Sequence, residues 1–271
     1  MHISRLRAAL TIAGSDSGGG AGIQADLKTF AAHGVHGLTA IAALTAQHTR
    51  GVTAVHVPPV EFLRAQIDAC FEDFAIGAVK LGMLANAQVI HAVADALERY
   101  RPTFIVLDPV MVATSGAKLL EDDALEALQA RLLPLATIVT PNIPEAELLL
   151  GHAIVDEDDA EAALAAFLGD LGVDAVLLKG GHLAADGDRV IDRFRGAGRA
   201  LSFSHPRLDL DAHGTGCTLA SAIAANLCRG LALEEACAQA TDYVYRALLQ
   251  GYSPGLGQVC VLDHFGASPP Q

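Results

Sequence analysis

This sequence predicts an α/β fold with a central, mostly parallel sheet, helices on both faces and a small antiparallel extension at one edge. Three observations carry that reading. Short apolar runs alternate with longer helical patterns from end to end of the chain. Each apolar run is closed by Gly, Pro or a polar residue, as strands buried on both faces are. With 271 residues, 52% of them hydrophobic, the chain can bury the core that such a sheet requires.

The strand runs are Ala8–Gly14, Leu38–Leu44, Ala78–Leu81, Phe104–Asp108, Thr137–Thr140 and Ala175–Leu178. Between them lie the helical patterns Ala21–Ala32, Val60–Phe71, Ala87–Tyr100, Asp122–Leu132, Glu145–Leu150 and Ala160–Leu171. Such alternation implies crossover units and parallel pairing. After Leu183 the pattern changes. Arg189–Phe194 and Leu201–His205, with Gly196-Ala197-Gly198 between them, read as a hairpin, which is the antiparallel extension. Cys217–Arg229 and Glu234–Gln250 read as two long helices, and Gly251–Gln271, rich in Gly, Pro and Ser, as a loop or frayed end. No repeat, linker or break in composition divides the chain, so residues 1–271 are expected to form one domain.

Charge and composition exclude several function classes. A formal net charge of −13 argues against non-specific nucleic-acid binding and against docking on an anionic membrane. No apolar run is long enough to span a bilayer, and Met1–Arg7 lacks signal-peptide anatomy. The five cysteines, Cys70, Cys217, Cys228, Cys237 and Cys260, form no CxxC pair and no metal-ligand spacing, which fits a reducing cytoplasm. All but Cys217 read as buried small apolar residues. Of the eleven histidines only His33 and His36 are close together, without an acidic or thiol partner beside them, so no zinc site is expected.

In open sheets of this type ligands bind outside the carboxyl ends of the strands. Polar residues fall there repeatedly. His213-Gly214-Thr215-Gly216-Cys217-Thr218 leads into an apolar helical run, so its unpaired amides and the helix dipole form a candidate anion site. The same field is expected to favour the thiolate of Cys217. Ser15-Asp16-Ser17-Gly18-Gly19-Gly20-Ala21-Gly22 is a glycine-rich turn matching neither the dinucleotide nor the Walker fingerprint; its glycines favour close approach of a ligand over a bland turn. Asp108, before Pro109, is a turn residue or a Mg²⁺ ligand. Asn142 and Glu145 are a helix N-cap with a first-turn acid, or groups aimed at the sheet edge. Lys179, beside Gly180-Gly181, is a solvated lysine or the cation for a transferring phosphoryl group. Gln47 is an idle loop amide or the reader of a heteroaromatic ring.

Taken together these segments resemble the ribokinase-like superfamily, and within it the hydroxymethylpyrimidine/phosphomethylpyrimidine kinases of thiamine biosynthesis. The similarity runs from Ala9 to Leu249. It is carried by Leu10–Asp16, Gly19–Lys28, Ala43–Gln47, Lys80–Leu84, Leu107–Met111, Thr140–Asn142, Leu178–His182 and His213–Thr218. The resemblance implies ATP- and Mg²⁺-dependent phosphorylation of 4-amino-5-hydroxymethyl-2-methylpyrimidine, and then of its monophosphate to the diphosphate. By motif, Gly14, Gln47, Met83 and Val110 would contact the pyrimidine. Asp108, Asn142 and Glu145 would organise Mg²⁺ and the ATP phosphates, with Asp108 and Glu145 as metal ligands. Lys179 would sit near both the nucleotide and the transferred group. The amides of Gly214, Thr215 and Gly216 would form the anion hole, and Cys217 would act as base or as positioning group. The family suggests a homodimer; a monovalent-cation requirement stays open.

The chain departs from the family pattern twice. Ser17-Gly18 stands where many members have Pro-Ser, which implies a more mobile turn, and Thr114 stands where Lys is frequent, which weakens a phosphate contact. Two rival readings remain: a pyridoxal/pyridoxine kinase of the same branch, whose substrate also presents a hydroxymethyl group on a nitrogen heteroaromatic, and a non-catalytic pyrimidine-binding protein.

Overall fold

The computed structural model describes residues 7–111, 122–183 and 186–268. Its main sheet has the order β3-β2-β1-β4-β5-β6-β7-β8-β9. These strands are β1 (Ala8–Gly14), β2 (His36–His48), β3 (Gly51–His56), β4 (Ile76–Leu81), β5 (Ile105–Leu107), β6 (Ile138–Val139), β7 (Ala175–Leu178), β8 (Arg189–Gly196) and β9 (Arg199–Pro206). From β2 through β7 all pairings are parallel, while β3, β8 and β9 pair antiparallel. The extension expected at one edge therefore exists at both. The extra strand β3 turns back at Thr49-Arg50 and is mostly exposed, so it lacks the apolar signature of the strands between.

The helices are α1 (Gly22–Ala32), α2 (Val60–Asp73), α3 (Ala87–Tyr100), α4 (Asp122–Ala127), α5 (Ile143–Leu150), α6 (Glu157–Gly169), α7 (Thr215–Arg229) and α8 (Leu233–Leu249). Side-chain caps start three of them. Asn86 accepts from the Val89 amide, Asp156 from the Asp159 amide, and Asn142 with Glu145 makes a reciprocal capping box. The helix expected over Asp122–Leu132 stays α-helical only to Ala127. It widens to a π turn over Leu128–Leu132 and ends in a 3₁₀ turn at Pro134, which has no N–H to continue a ladder.

Alternate residues of each parallel strand face opposite cores. Leu10, Ile12, Val79, Leu81, Ile105, Leu107, Val176 and Leu178 pack with residues of α2, α3, α5 and α6. Ala9, Ala78, Val106, Ile138 and Ala175 face α7 and α8. The second face is built of small side chains, and α7 answers with Ala220, Ala222, Ala224 and Ala225, all fully buried. A Cβ on Gly77 would come within 2.9 Å of Cys228 Sγ. Helix α7 thus lies close against the middle of the sheet, which sets its N-terminus at the carboxyl ends of the central strands.

The tail does not fray over its described part. Cys260–Val261 (β11) pairs in parallel with Ala212–His213 (β10), and Leu262 and His264 are buried. His264 Nε2 lies 3.1 Å from Thr218 Oγ1, and Tyr243 donates to the His264 carbonyl at 2.8 Å. Burial pushes His33 and His264 each down to about 4, so both are neutral packing groups. Cys228 and Cys237 are buried as expected, whereas Cys70 and Cys260 are only half-buried. No described helix is long and apolar enough to cross a membrane.

Candidate active site

The carboxyl ends of the parallel strands open into a cleft of about 630 Å³. Every site residue expected from sequence lines it: Gly14, Gln47, Met83, Asp108, Val110, Asn142, Glu145, Lys179, Gly214, Thr215, Gly216 and Cys217. Thr114 lies outside the described residues.

One wall is cationic and acidic at once. Lys179 follows β7 and is held by its amide on the Pro141 carbonyl at 2.8 Å, while the next amide, of Gly180, donates to Asp192 Oδ1. The Lys179 ammonium lies 2.9 Å from Asp108 Oδ1 and 3.5 Å from Glu145 Oε2. Burial would pull its pKa down, but the Asp108 and Glu145 carboxylates outweigh burial and raise it, so Lys179 is charged. Glu145 moves up, because burial and the neighbouring Asp108 outweigh Lys179. Asn142 spends its side-chain oxygen on the Glu145 amide at 2.8 Å, so the capping role is realised and only its NH₂ is left for the cleft.

The facing wall is the start of α7. Gly214 is its N-cap in the left-handed region (φ 88°), and no side chain caps the first-turn amides. A Cβ on Gly216 would stand 3.0 Å from Lys179 Nζ and 3.6 Å from Asp108 Oδ2. The start of α7 therefore stands beside the lysine and Asp108, with no room for a side chain at position 216. Asp108 Oδ2 is the buried side-chain oxygen without a hydrogen-bond partner among the described residues. An orphaned carboxylate oxygen beside a second carboxylate suits a hard cation with oxygen ligands, and Mg²⁺ fits.

Burial overturns the expectation of a thiolate at Cys217. It pushes the thiol up to about 11 and outweighs the Lys80 ammonium and the Gly22 amide, which act the other way. Alkylation of Cys217 by iodoacetamide in the ligand-free protein is therefore expected to be slow at pH 8, where roughly a thousandth of the thiol is ionised. Its rate should climb about tenfold per pH unit without levelling off below pH 10. Peptide mass spectrometry across that range checks this; a plateau near pH 7 would restore the thiolate.

The glycine turn also differs from expectation. Its amides serve the protein rather than a ligand: Gly18, Gly20 and Ala21 all donate to the Asp16 carboxylate at 2.7–2.9 Å. Gly22 (φ 54°) is glycine because a Cβ would meet the Gly14 carbonyl oxygen at 2.4 Å. At Ser17-Gly18 the turn is tied to β2: Ser17 Oγ donates to the Gln47 carbonyl and accepts from the Gln47 backbone amide.

Three groups lining the cleft, Lys80, His213 and Asp16, stand in motifs of the sequence that assign them no role. Lys80 is fully buried and makes a two-pronged ion pair with Asp26 at 2.9 and 3.0 Å, which Thr11 and Ser221 complete, each at 2.6 Å. A lysine inside the apolar run Gly77-Ala78-Val79-Lys80-Leu81-Gly82 was a signal that it had a buried partner. His213 and Asp16 gave no such local signal. At the far end of the cleft His205 stacks on Tyr245, with ring centroids 4.8 Å apart, beside Val244 and Leu248.

Sheet order, antiparallel edges and a cleft at the carboxyl ends of the parallel strands define a ribokinase-like α/β protein, and solved structures agree. The pyridoxal kinase of Staphylococcus aureus in complex with AMP-PCP and pyridoxal superposes with a TM-score of 0.86 at 32% identity, over 97% of this chain and 95% of that one. The chain belongs to the phosphomethylpyrimidine kinase family, whose model matches residues 16–261. It is 49% identical over 251 residues to the hydroxymethylpyrimidine/phosphomethylpyrimidine kinase of Rhizobium meliloti, covering 92% of this chain and 93% of that protein. It is also 50% identical over 248 residues to the thiamine biosynthesis bifunctional protein ThiED of Geobacter sulfurreducens; there the chain spans half the length of its relative.

Proposed function

We propose that this protein transfers the γ-phosphoryl group of ATP to hydroxymethylpyrimidine and then to the resulting monophosphate. The observation that carries the reading is the juxtaposition, on one cleft, of Lys179, the uncapped start of α7 and an unpartnered Asp108 oxygen. Phosphoryl transfer asks a protein chiefly for positioning and for charge stabilisation, and a lysine beside open helix amides suits the second.

The acceptor lies against Gly14, Gln47, Met83 and Val110, and the nucleotide base lies at the His205–Tyr245 end. The acceptor oxygen bonds to the γ-phosphorus as the bond to the ADP oxygen breaks. Lys179 and the amides of Gly214, Thr215 and Gly216 hold the charge on the transferring oxygens. Asp108 and Glu145 would hold Mg²⁺, which supplies neutralising charge for the nucleotide phosphates when bound. Cys217, a thiol rather than a thiolate, holds the acceptor in place instead of removing its proton. That suits both transfers: a phosphate acceptor has little proton to give, and in a loose transition state the hydroxymethyl proton leaves late, passing to an oxygen of the transferred phosphoryl group and from there to water.

The test is ATP-dependent product formation with Mg²⁺, followed by mass, with hydroxymethylpyrimidine, its monophosphate and pyridoxal offered in parallel. Mono- and diphosphate of the pyrimidine are the expected products. Pyridoxal phosphate alone would transfer the assignment to the related pyridoxal kinases, and binding without any product would leave a pyrimidine-binding protein.

A further inference from the structure

The acceptor side of the cleft is closed by a chain of polar side chains, and a count of donors and acceptors along it leaves one solution. The arm of the Gln47 amide assigned as nitrogen lies 2.8 Å from His213 Nε2, and the arm assigned as oxygen lies 3.1 Å from Thr45 Oγ1. His213 Nε2 is 3.2 Å from Asp16 Oδ2, and Thr45 Oγ1 is 2.8 Å from the Ser15 carbonyl oxygen. The two arms of an amide are alike in shape and are told apart only by what they meet.

Asp16 already accepts from three backbone amides, which marks it as an ionised carboxylate. A carboxylate only accepts, so His213 Nε2 carries a proton and donates. A nitrogen that donates cannot also accept from the Gln47 NH₂. The amide oxygen of Gln47 therefore faces His213, and its nitrogen faces Thr45. Thr45 is then satisfied too: its one hydroxyl proton goes to the Ser15 carbonyl, and its oxygen accepts from Gln47. In this orientation the one Nε2 proton is shared between Asp16 and the Gln47 oxygen; the reverse orientation would divide the Thr45 proton in the same way and would also turn the imidazole lone pair toward the Asp16 carboxylate, and that repulsion decides between them. The result is the same for neutral and cationic His213, because Nε2 carries a proton in both.

We propose that His213 is a positioning residue that locks the Gln47 amide by its oxygen, so that the remaining Gln47 N–H points into the cleft and selects acceptors with a hydrogen-bond-accepting ring nitrogen. The identity of that ring as a pyrimidine rests on the proposed function; the orientation of Gln47 does not.

The experiment compares the pyrimidine with its two pyridine analogues, each with one ring nitrogen replaced by C–H, as ligands of wild type, His213→Leu, His213→Gln and Thr45→Val. Wild type is expected to bind one analogue about tenfold more weakly than the pyrimidine, the loss of one hydrogen bond. That discrimination should collapse in His213→Leu and in Thr45→Val, and return in His213→Gln, whose side-chain N–H reaches the same region. ATP affinity should stay unchanged throughout, a split that general damage to the fold would not produce. If His213→Leu fails to fold, Thr45→Val decides. Equal binding of all three ligands by wild type, or undiminished discrimination in the folded variants, overturns the proposal. Wild-type turnover of the pyrimidine is measured first: its absence counts against the proposed function, whereas an active wild type with unaffected variants counts only against the role of His213.

Discussion

Lys179→Ala is expected to lower kcat by roughly 10²–10³-fold, the loss typical of one charge-stabilising donor in a closed site, with little change in pyrimidine affinity. The ammonium stands 2.9 Å from Asp108 and 3.0 Å from where a Cβ of residue 216 would lie. It therefore borders the start of α7 and not the ring-binding wall. Its removal leaves Asp108 and Glu145 facing each other with no cation between them. Glu145 is already pushed up by burial and by Asp108, so it is the group that takes a proton, which limits the damage to the fold. Steady-state kinetics together with equilibrium binding of the pyrimidine separate the two effects. An unchanged kcat would remove Lys179 from the transfer step, and a matching loss of pyrimidine affinity would place it on the acceptor side.

Gly214→Ala is expected to damage stability and activity together. The position has φ 88°, and an added Cβ would stand 2.0 Å from the Gly20 carbonyl oxygen, a backbone atom that cannot swing aside. The strained conformation costs about 1–3 kcal/mol before the clash is counted, which corresponds to a Tm lowered by roughly 2–5 °C in a chain of this size. Relief of the clash moves the first amides of α7 away from Lys179, so turnover should fall by roughly 10²-fold or more. Gly34→Ala separates the two effects. Gly34 has φ 69° but nothing within 4 Å of an added Cβ, so that variant should lose stability and keep its turnover. Scanning calorimetry and kinetics on both variants test this; a Gly214→Ala enzyme with wild-type kcat would remove the α7 amides from the mechanism.

Much of this fold is legible in the sequence because burial writes itself locally. Ala8–Gly14, Ala87–Tyr100 and Ala175–Leu178 appear with the expected limits, since each is an apolar or amphipathic run stopped by glycine, by a capping asparagine or by a charge. The strand Gly51–His56 carries no such mark, because an edge strand that faces solvent needs no apolar face. The tail residues Val261 and His264 are held by β10 and by Thr218, partners far away in sequence, and no local pattern announces them. The site divides in the same way. Residues at strand ends fall into one cleft as the topology requires. The protonation of Cys217 does not follow from its helix start, because burial outweighs the Lys80 ammonium, and the carboxylates of Asp26 and Asp108, distant in sequence, add to it. Whether the amides of the glycine turn are free depended on Asp16 folding back over them, and a sequence does not show the direction of a side chain.

That folded-back carboxylate has a consequence for traffic through the cleft. Two sets of backbone amides border the same space, one before α1 and one at the start of α7, and a phosphate arriving from solution would find both attractive. Asp16 fills the first set with an anion that belongs to the chain itself. Only the second remains vacant for a visitor. On the proposed function, the enzyme has to take back its own phosphorylated product as a substrate, and a product with two docking choices would bind part of the time in a useless direction. A tethered decoy at one of them leaves a single address, so the monophosphate re-enters facing the way it left.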